Sequence, residues 1–226
     1  MLIIASEDAP VYTELKKLWR QYMQSNPGQV EAYFICGDPA LPVECVIEGD
    51  TIWSKTAESI IPGILNKTIL SLEAFLPRIQ TEFDYVLRTN LSSFYIFPRL
   101  LQFLETCPRD NFYCGKTDYE RTFCSGSGFI LSPDLATMLV TNKSYLLNAN
   151  THDDVSIGAF FKDRGIKPAP HARIDFCSFY DWFNQKDCIP SNIFQCRIKN
   201  SDETRLKDDI FMYKELQAMF YPHIEE

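Results

Sequence analysis

The stretch FDYVLRTNLSSF, residues 83–94, reads as a buried strand that runs straight into a polar turn. Tyr85, Val86 and Leu87 are aromatic, β-branched and aliphatic, whereas the residues from Arg88 to Ser93 are almost wholly hydrogen-bonding, so a strand over 83–87 is expected. In open α/β sheets the crevice beyond the carboxyl ends of the strands favours a ligand, because the strand holds still the polar groups that face it. The candidate site is therefore expected near Asn90.

Working outward, a short apolar strand at residues 2–5 meets a polar loop with Pro10 near a helix start. Tyr12, Leu15, Leu18, Trp19 and Met23 then recur at helical spacing, and Asn26-Pro27-Gly28 ends the helix. Strands are expected at 32–37 and 43–47, with Asp38-Pro39 and Gly49-Asp50 as turns, then a helix over 60–76. Beyond the opening stretch come a helix at 94–104 and strands at 112–115 and 128–131. Ser132-Pro133 starts a further helix with Ser as cap, and another short helix begins near Asp153. From His171 on the chain reads as irregular until a helix over 207–221. Strand and helix alternate as in a mostly parallel sheet covered by helices. There is no internal repeat and no low-complexity linker, so one domain spanning 1–226 is expected, with 177–226 as an irregular and helical extension packing on it.

The 226 residues carry a net charge of −8 and are 46% hydrophobic and 14% aromatic, as in a globular chain able to bury a core without disulfides or metal clusters. Acidity argues against nucleic acid, whose phosphates need a basic face. The eight cysteines include no CxxC pair and no metal-type spacing, which reads as reduced, mostly buried thiols. No basic region precedes a long apolar run at the N-terminus, and no stretch reaches membrane-spanning length. A soluble, cytoplasmic protein is expected, a trimmed Golgi-type anchor being the other option.

Three constellations could carry chemistry. Asp153-Asp154 at a helix start is explained by favourable interaction with the helix dipole, about 0.3–1 kcal/mol each. Adjacent carboxylates repel, however, and one held at a cleft could take a proton from an attacking hydroxyl. Cys124-Ser125-Gly126-Ser127-Gly128 is either a flexible loop or a place where backbone approaches a bulky ligand; it is not a phosphate loop, since no Gly-Lys-Ser/Thr follows. Arg197, Lys199, Arg205 and Lys207 read as a solvated basic face or as cations for a diphosphate. His152, His171 and His223 share no short metal-ligand spacing. Trp53, Tyr119, Tyr180 and Trp182 read mostly as core, with one or two available to stack on a sugar.

In order and spacing, residues 15–176 resemble a GT-A glycosyltransferase, most closely glycosyltransferase family 31, the β-1,3-galactosyltransferase and Fringe group. Leu15-Lys16-Lys17-Leu18-Trp19 is similar to its helix ending in Trp, and Tyr33-Phe34-Ile35-Cys36-Gly37 to its "FLLG" strand. Asn66-Lys67-Thr68-Ile69-Leu70 resembles its "LKT" helix, and Asp84-Tyr85-Val86-Leu87-Arg88-Thr89 its "ADYVLKTD" strand. Residues 124–132 resemble its "SGxGYVLS" segment, and Asp153-Asp154-Val155-Ser156-Ile157-Gly158 its "EDVxxG" motif.

The resemblance implies a single-domain, Rossmann-like GT-A fold, a UDP-type nucleotide-sugar donor, a glycan or glycoconjugate acceptor, and inverting transfer of a hexose or pentose. Carried over, Asp154 is the base and Asp153 its neighbour or substitute. Ala5, Ser6 and Glu7 line the nucleoside pocket, and Lys67 belongs with the donor residues. Ser125, Gly126, Ser127, Gly128, His152 and Trp182 border the sugar or acceptor. The sequence departs from the family where DxD carboxylates hold Mn²⁺ or Mg²⁺: this chain has Asn90-Leu91-Ser92. An amide and a hydroxyl are poor replacements for anionic oxygen ligands. Asn90 and Ser92 are then left to hydrogen-bond ribose or sugar, with Arg88, Arg197, Lys199 and Arg205 offsetting the diphosphate charge. His171 stands where some relatives have a late metal-binding histidine. Two other readings stay open, a silent GT-A module that binds nucleotide or glycan without transfer, and a retaining transferase.

Overall fold

The computed structural model describes residues 1–6, 8–201 and 203–224. The chain opens with β1 (Leu2–Ile4), α1 (Pro10–Tyr22), β2 (Tyr33–Gly37), β3 (Cys45–Glu48), β4 (Thr51–Ser54) and α2 (Gly63–Thr81). It continues with β5 (Val86–Asn90), β6 (Ser93–Tyr95), α3 (Phe97–Leu104), β7 (Tyr113–Thr117), β8 (Cys124–Leu131), α4 (Pro133–Thr141) and α5 (Lys143–Leu146). It closes with α6 (Asp153–Lys162), β9 (Ala169–Pro170), β10 (Ile174–Phe176), α7 (Phe179–Gln185), β11 (Gln195–Ile198) and α8 (Arg205–Phe220). These elements form two compact units, one of residues 1–6, 32–90 and 108–171, the other of residues 7–31, 91–107 and 172–226. Residues 177–226 thus share their unit with α1 and with the segment that follows β5. No helix among the described residues is long and apolar enough to cross a membrane.

The first unit is an α/β sheet of eight strands in the order β3-β4-β2-β1-β5-β8-β7-β9. β4, β2, β1 and β5 run parallel, as do β7 and β9, while the β3/β4, β5/β8 and β7/β8 pairs are antiparallel. The sheet is therefore mostly parallel, as the alternation predicts. Leu2, Ile4, Ile35, Ile52 and Val86 pack with Leu65, Ile69 and Leu72 of α2, Leu135 and Leu139 of α4 and Ile157 and Phe160 of α6 in one core. The strand after Gly49-Asp50 is absent from the sequence reading. Gly49 adopts φ 58°, a left-handed turn conformation that glycine takes without strain, and the turn folds β4 back on β3. α2 also continues through Pro77 to Thr81, beyond the expected end at 76.

β5 corrects the reading of the opening stretch. It starts at Val86 and runs through Arg88 and Thr89 to Asn90, inside what reads as a polar turn. Arg88 and Thr89 are 2% and 0% exposed, because their polar groups find partners within the unit. Likewise residues 124–128 form the first half of β8 rather than a flexible loop, with Thr89 paired to Gly128. Ser132 precedes α4 as expected, but it does not cap the helix; its hydroxyl accepts the Phe112 N–H at 2.9 Å.

In the second unit, β10, β11 and β6 form a three-stranded sheet, and α1 packs on α8. A helix is expected from Phe94, yet residues 93–95 are strand and α3 waits until Phe97. The reason is antiparallel pairing with β11, joined by a set of aromatic side chains that satisfy other backbone groups of this segment in place of helical bonds. Trp19 Nε1 donates to the Leu91 carbonyl at 3.1 Å, and the Tyr213 hydroxyl donates to that of Ser93 at 3.3 Å. The Tyr221 hydroxyl donates to the Tyr95 carbonyl at 2.8 Å and accepts the Phe97 N–H at 2.7 Å. Tyr22 and Tyr213 share a hydroxyl contact of 3.0 Å, and burial holds both phenols well above their ordinary pKa. Tyr221→Phe keeps the ring and removes the hydroxyl that the buried Phe97 N–H donates to and that donates to the Tyr95 carbonyl. It is expected to cost about 1–3 kcal/mol; urea unfolding in which the mutant matches the wild type would contradict this.

Candidate functional site

β1, β2, β4 and β5 are parallel, so Ala5, Gly37, Ser54 and Asn90 all stand at one edge of the first sheet, the carboxyl edge where α/β proteins build their sites. Arg88, two residues before the end of β5, extends its guanidinium beneath this edge. One terminal nitrogen donates to the Gly126 carbonyl of β8 and the other to Asp153 at the start of α6. The Phe129 ring lies 5.3 Å from the guanidinium carbon, and the Nε is buried with no partner among the described residues. Burial pushes the Asp153 carboxyl up, the Arg88 charge pulls it back, and the neighbouring Asp154 charge pushes it up again, leaving it raised.

Asp154 differs from its neighbour. It is half-buried, its Oδ2 accepts the Gly126 N–H at 2.8 Å, and its Oδ1 accepts the Val155 N–H at 2.9 Å. Each oxygen retains a lone pair. Gly126 keeps this point uncrowded, since a Cβ there would lie 3.0 Å from Asp154 Oδ2 and 3.3 Å from Arg88 Nη1 and would press on both side chains. Gly158 performs the same service one turn along α6, where a Cβ would fall 2.2 Å from that of Phe123. Two glycines thus let α6 approach β8 closely enough to fix the carboxylate.

A second polar cluster stands at the same edge. Lys67, 1% exposed in α2, donates to the Ala5 carbonyl at 2.7 Å and to Glu58 at 2.6 Å, and Glu58 accepts the Gly37 N–H at 2.5 Å. The backbone of residues 56–57 runs over Gly37 and Gly63, where added Cβ atoms would lie 2.6 Å and 2.3 Å from carbonyl oxygens. Glu58 has no place in the sequence reading; it sits in a loop with no periodic pattern, and only the ends of two strands and a helix meeting there give it a role.

Among the residues expected at the site, the structure gathers Arg88, Asn90, Gly126, Asp153 and Asp154 in one cluster, and Ala5 with Lys67 in another. Asn90 reaches the Gly126 carbonyl at 3.5 Å. Ser125 and Ser127 share a hydroxyl contact of 3.1 Å, and Thr89 donates to the Ser127 carbonyl. Ser6 is half-buried and His152 exposed, its carbonyl accepting the Ser156 N–H; Glu7 lies outside the described residues. Ser92, Trp182, Arg197, Lys199 and Arg205 belong to the second unit. Two of these depart from expectation. Trp182 is 1% exposed and packs edge-on against Phe176, so it offers no open face to a sugar. Arg205 is buried, with its Nε on Asp209 at 2.8 Å and Nη2 on the Ser92 hydroxyl at 2.9 Å, so its charge is already matched.

A scan against protein-family models and a search of curated proteins give no match to this chain. What the site can do rests on its geometry. The residues at the DxD position do not fit a divalent cation: Asn90 is a neutral amide, and the Ser92 hydroxyl faces the Arg205 cation. Half-buried His171, whose backbone N–H is bound by the Gly115 carbonyl, has its pKa lowered by burial. Among the described residues, no three His, Cys, Asp or Glu side chains gather as a metal ion would need.

Removing Arg88 leaves Asp153 buried without its cation. Arg88→Met is expected to cost about 3–5 kcal/mol, with part of that loss recovered in Arg88→Met/Asp153→Asn; a double-variant loss equal to the sum of the Arg88→Met and Asp153→Asn losses would show that the pair is not coupled. The pH dependence has a defined sign. With its folded pKa raised, Asp153 contributes stability that is fully present below the usual carboxylate value of about 3.9 and is lost as pH rises through the raised value. Wild type should therefore lose stability relative to Asp153→Asn as pH rises through that window, as read from urea midpoints.

Proposed function

We propose that the chain is a GT-A-type glycosyltransferase that moves a hexose or pentose from a UDP-type nucleotide sugar to a hydroxyl of a glycan or glycoconjugate. The observation that supports this reading is the unequal pair of carboxylates at the start of α6. Asp153 is buried and matched by Arg88, while Asp154 is half-buried and oriented by the Gly126 N–H at the carboxyl edge of the sheet. The proximity of two such groups with different surroundings is how one carboxylate becomes a support and the other a reactant.

In this reading an Asp154 oxygen takes the proton of the acceptor hydroxyl. The hydroxyl oxygen attacks the anomeric carbon from the face opposite the leaving group, the bond from that carbon to the phosphate oxygen breaks, and the nucleoside diphosphate departs with the electron pair. The configuration inverts. No step needs a metal, because the residues at the DxD position do not fit one. None of the eight cysteines forms a disulfide, and with the acidic charge this suits a soluble protein acting in the cytoplasm.

A second reading, a module that binds nucleotide or glycan without transfer, is favoured by Asn90, which carries no charge where the resembling family carries a carboxylate. A nucleotide-sugar and acceptor panel separates the two. Asp154→Asn is expected to lower turnover about 10²–10⁴-fold while donor binding persists; donor binding without turnover in the wild type would favour the module, and retention of the anomeric configuration in the product would exclude Asp154 as the sole base. Chelation by EDTA is expected to leave at least part of the donor affinity, and complete loss restored by Mn²⁺ would overturn the metal-free scheme.

A further inference from the structure

Within the second unit, one cation is left unmatched by its surroundings. Cys196 and Ile198 of β11 are wholly buried, so side-chain alternation sends Arg197 and Lys199 to the opposite face, Arg197 half-buried and Lys199 exposed. The cross-strand neighbours of Arg197 are Asp175 on β10 and Ser93 on β6. Both are already engaged. Arg173 donates to Asp175 at 2.6 Å and 3.2 Å, and the Ser93 hydroxyl receives Gln195 Nε2 at 3.3 Å. Asp181, the other carboxylate on this side, accepts the Cys177 N–H at 3.2 Å and the Ser178 hydroxyl at 2.8 Å.

The Arg197 side chain makes no hydrogen bond or ion pair among the described residues, and its Nε is buried without a partner. Arg88, Arg99, Arg173 and Arg205, the other arginines withdrawn from solvent, each have an oxygen on the guanidinium. A donor on a cation that has lost water and gained no acceptor is unfavourable, and native proteins seldom leave one so. An acceptor that carries negative charge suits this face, because Arg197 shares it with Lys199, and neither Asp175 nor Asp181 hydrogen-bonds the Arg197 guanidinium.

We infer that this face of β11 is a binding site for a phosphoryl group, with Arg197 supplying the forked hydrogen bonds and Lys199 a second charge. Two separate cations suit a phosphoryl dianion better than a single carboxylate. Under the transferase reading these two side chains would take the donor diphosphate, but the site requires no sugar transfer. The same chemistry is offered by free phosphate or pyrophosphate and by the diphosphate of a nucleotide.

The test is thermal unfolding and calorimetric titration of the full chain with inorganic phosphate, inorganic pyrophosphate and UDP, compared in wild type, Arg197→Gln, Lys199→Gln and Arg121→Gln, the last removing an exposed arginine elsewhere. The expected result is protection by at least one of these anions, with affinity lowered about tenfold or more in Arg197→Gln, less in Lys199→Gln and unchanged in Arg121→Gln. Pyrophosphate matching UDP would assign the phosphoryl group alone as ligand, and UDP binding more tightly would assign a nucleotide. Lys199 is exposed, so its variant keeps the test valid if Arg197→Gln is poorly folded. No protection by any of the three at millimolar concentration, or protection equal in all four proteins, overturns the inference. Anion binding through Arg197 in a protein that transfers no sugar would sink the transferase reading and leave this site standing.

Discussion

The first unit is organised at its carboxyl edge by a guanidinium that water cannot reach. Arg88 is 2% exposed in a central strand, where an uncompensated charge would be strongly unfavourable. Its solvation is therefore supplied by the protein: the Gly126 carbonyl, the Asp153 carboxylate and the face of Phe129. Those three partners come from β8 and α6, so satisfying one side chain fixes where the helix begins relative to two strands. The position of Asp154 follows from that docking. Gly126 and Gly158 remove the side chains that would otherwise hold the helix away.

Much of this architecture is legible in the sequence, and what is not has identifiable causes. Apolar runs such as Phe34-Ile35-Cys36 and the helical spacing of Leu65, Ile69 and Leu72 mark elements whose burial follows directly from their pattern. β5 is misplaced by pattern because Arg88 and Thr89 look like turn residues; their burial depends on partners about forty and sixty-five residues further along the chain. β6 is hidden for a related reason. A helix start at Phe94 is locally reasonable, and it is overruled by pairing with β11 and by the indole of Trp19 and the phenols of Tyr213 and Tyr221, which take up backbone groups of residues 91–97. β4, β9, β10, β11, α5 and α7 are short, and short elements carry too few residues for periodicity to register.

The candidate site divides in the same way. Sequence order and residue type single out Arg88, Gly126, Asp153 and Asp154, yet only the geometry gives the two aspartates opposite surroundings. Local charge pattern also groups Arg197, Lys199 and Arg205 as equals. In the fold Asp209, four residues after Arg205 and therefore on the same face of α8, takes up that arginine and leaves Arg197 apart. Trp182 shows the limit of reading aromatics by neighbourhood: it lies in a polar, irregular stretch and is nevertheless core. Lys67 is chosen for its place in a motif, while Glu58, which determines how Lys67 is held, leaves no mark in the sequence.

The way the chain divides between its two units bears on how it must be made. Each unit is stitched from three separate stretches, and the second is closed only by residues 172–226. A ribosome therefore releases every residue of the first unit before the second has its last helix. Until α8 emerges, Trp19, Tyr22, Phe94 and Tyr95 lack the phenols of Tyr213 and Tyr221, and the aromatic surface of α1 and β6 stays uncovered. The order of synthesis thus puts the burial of those rings last, after every strand of both sheets has been made.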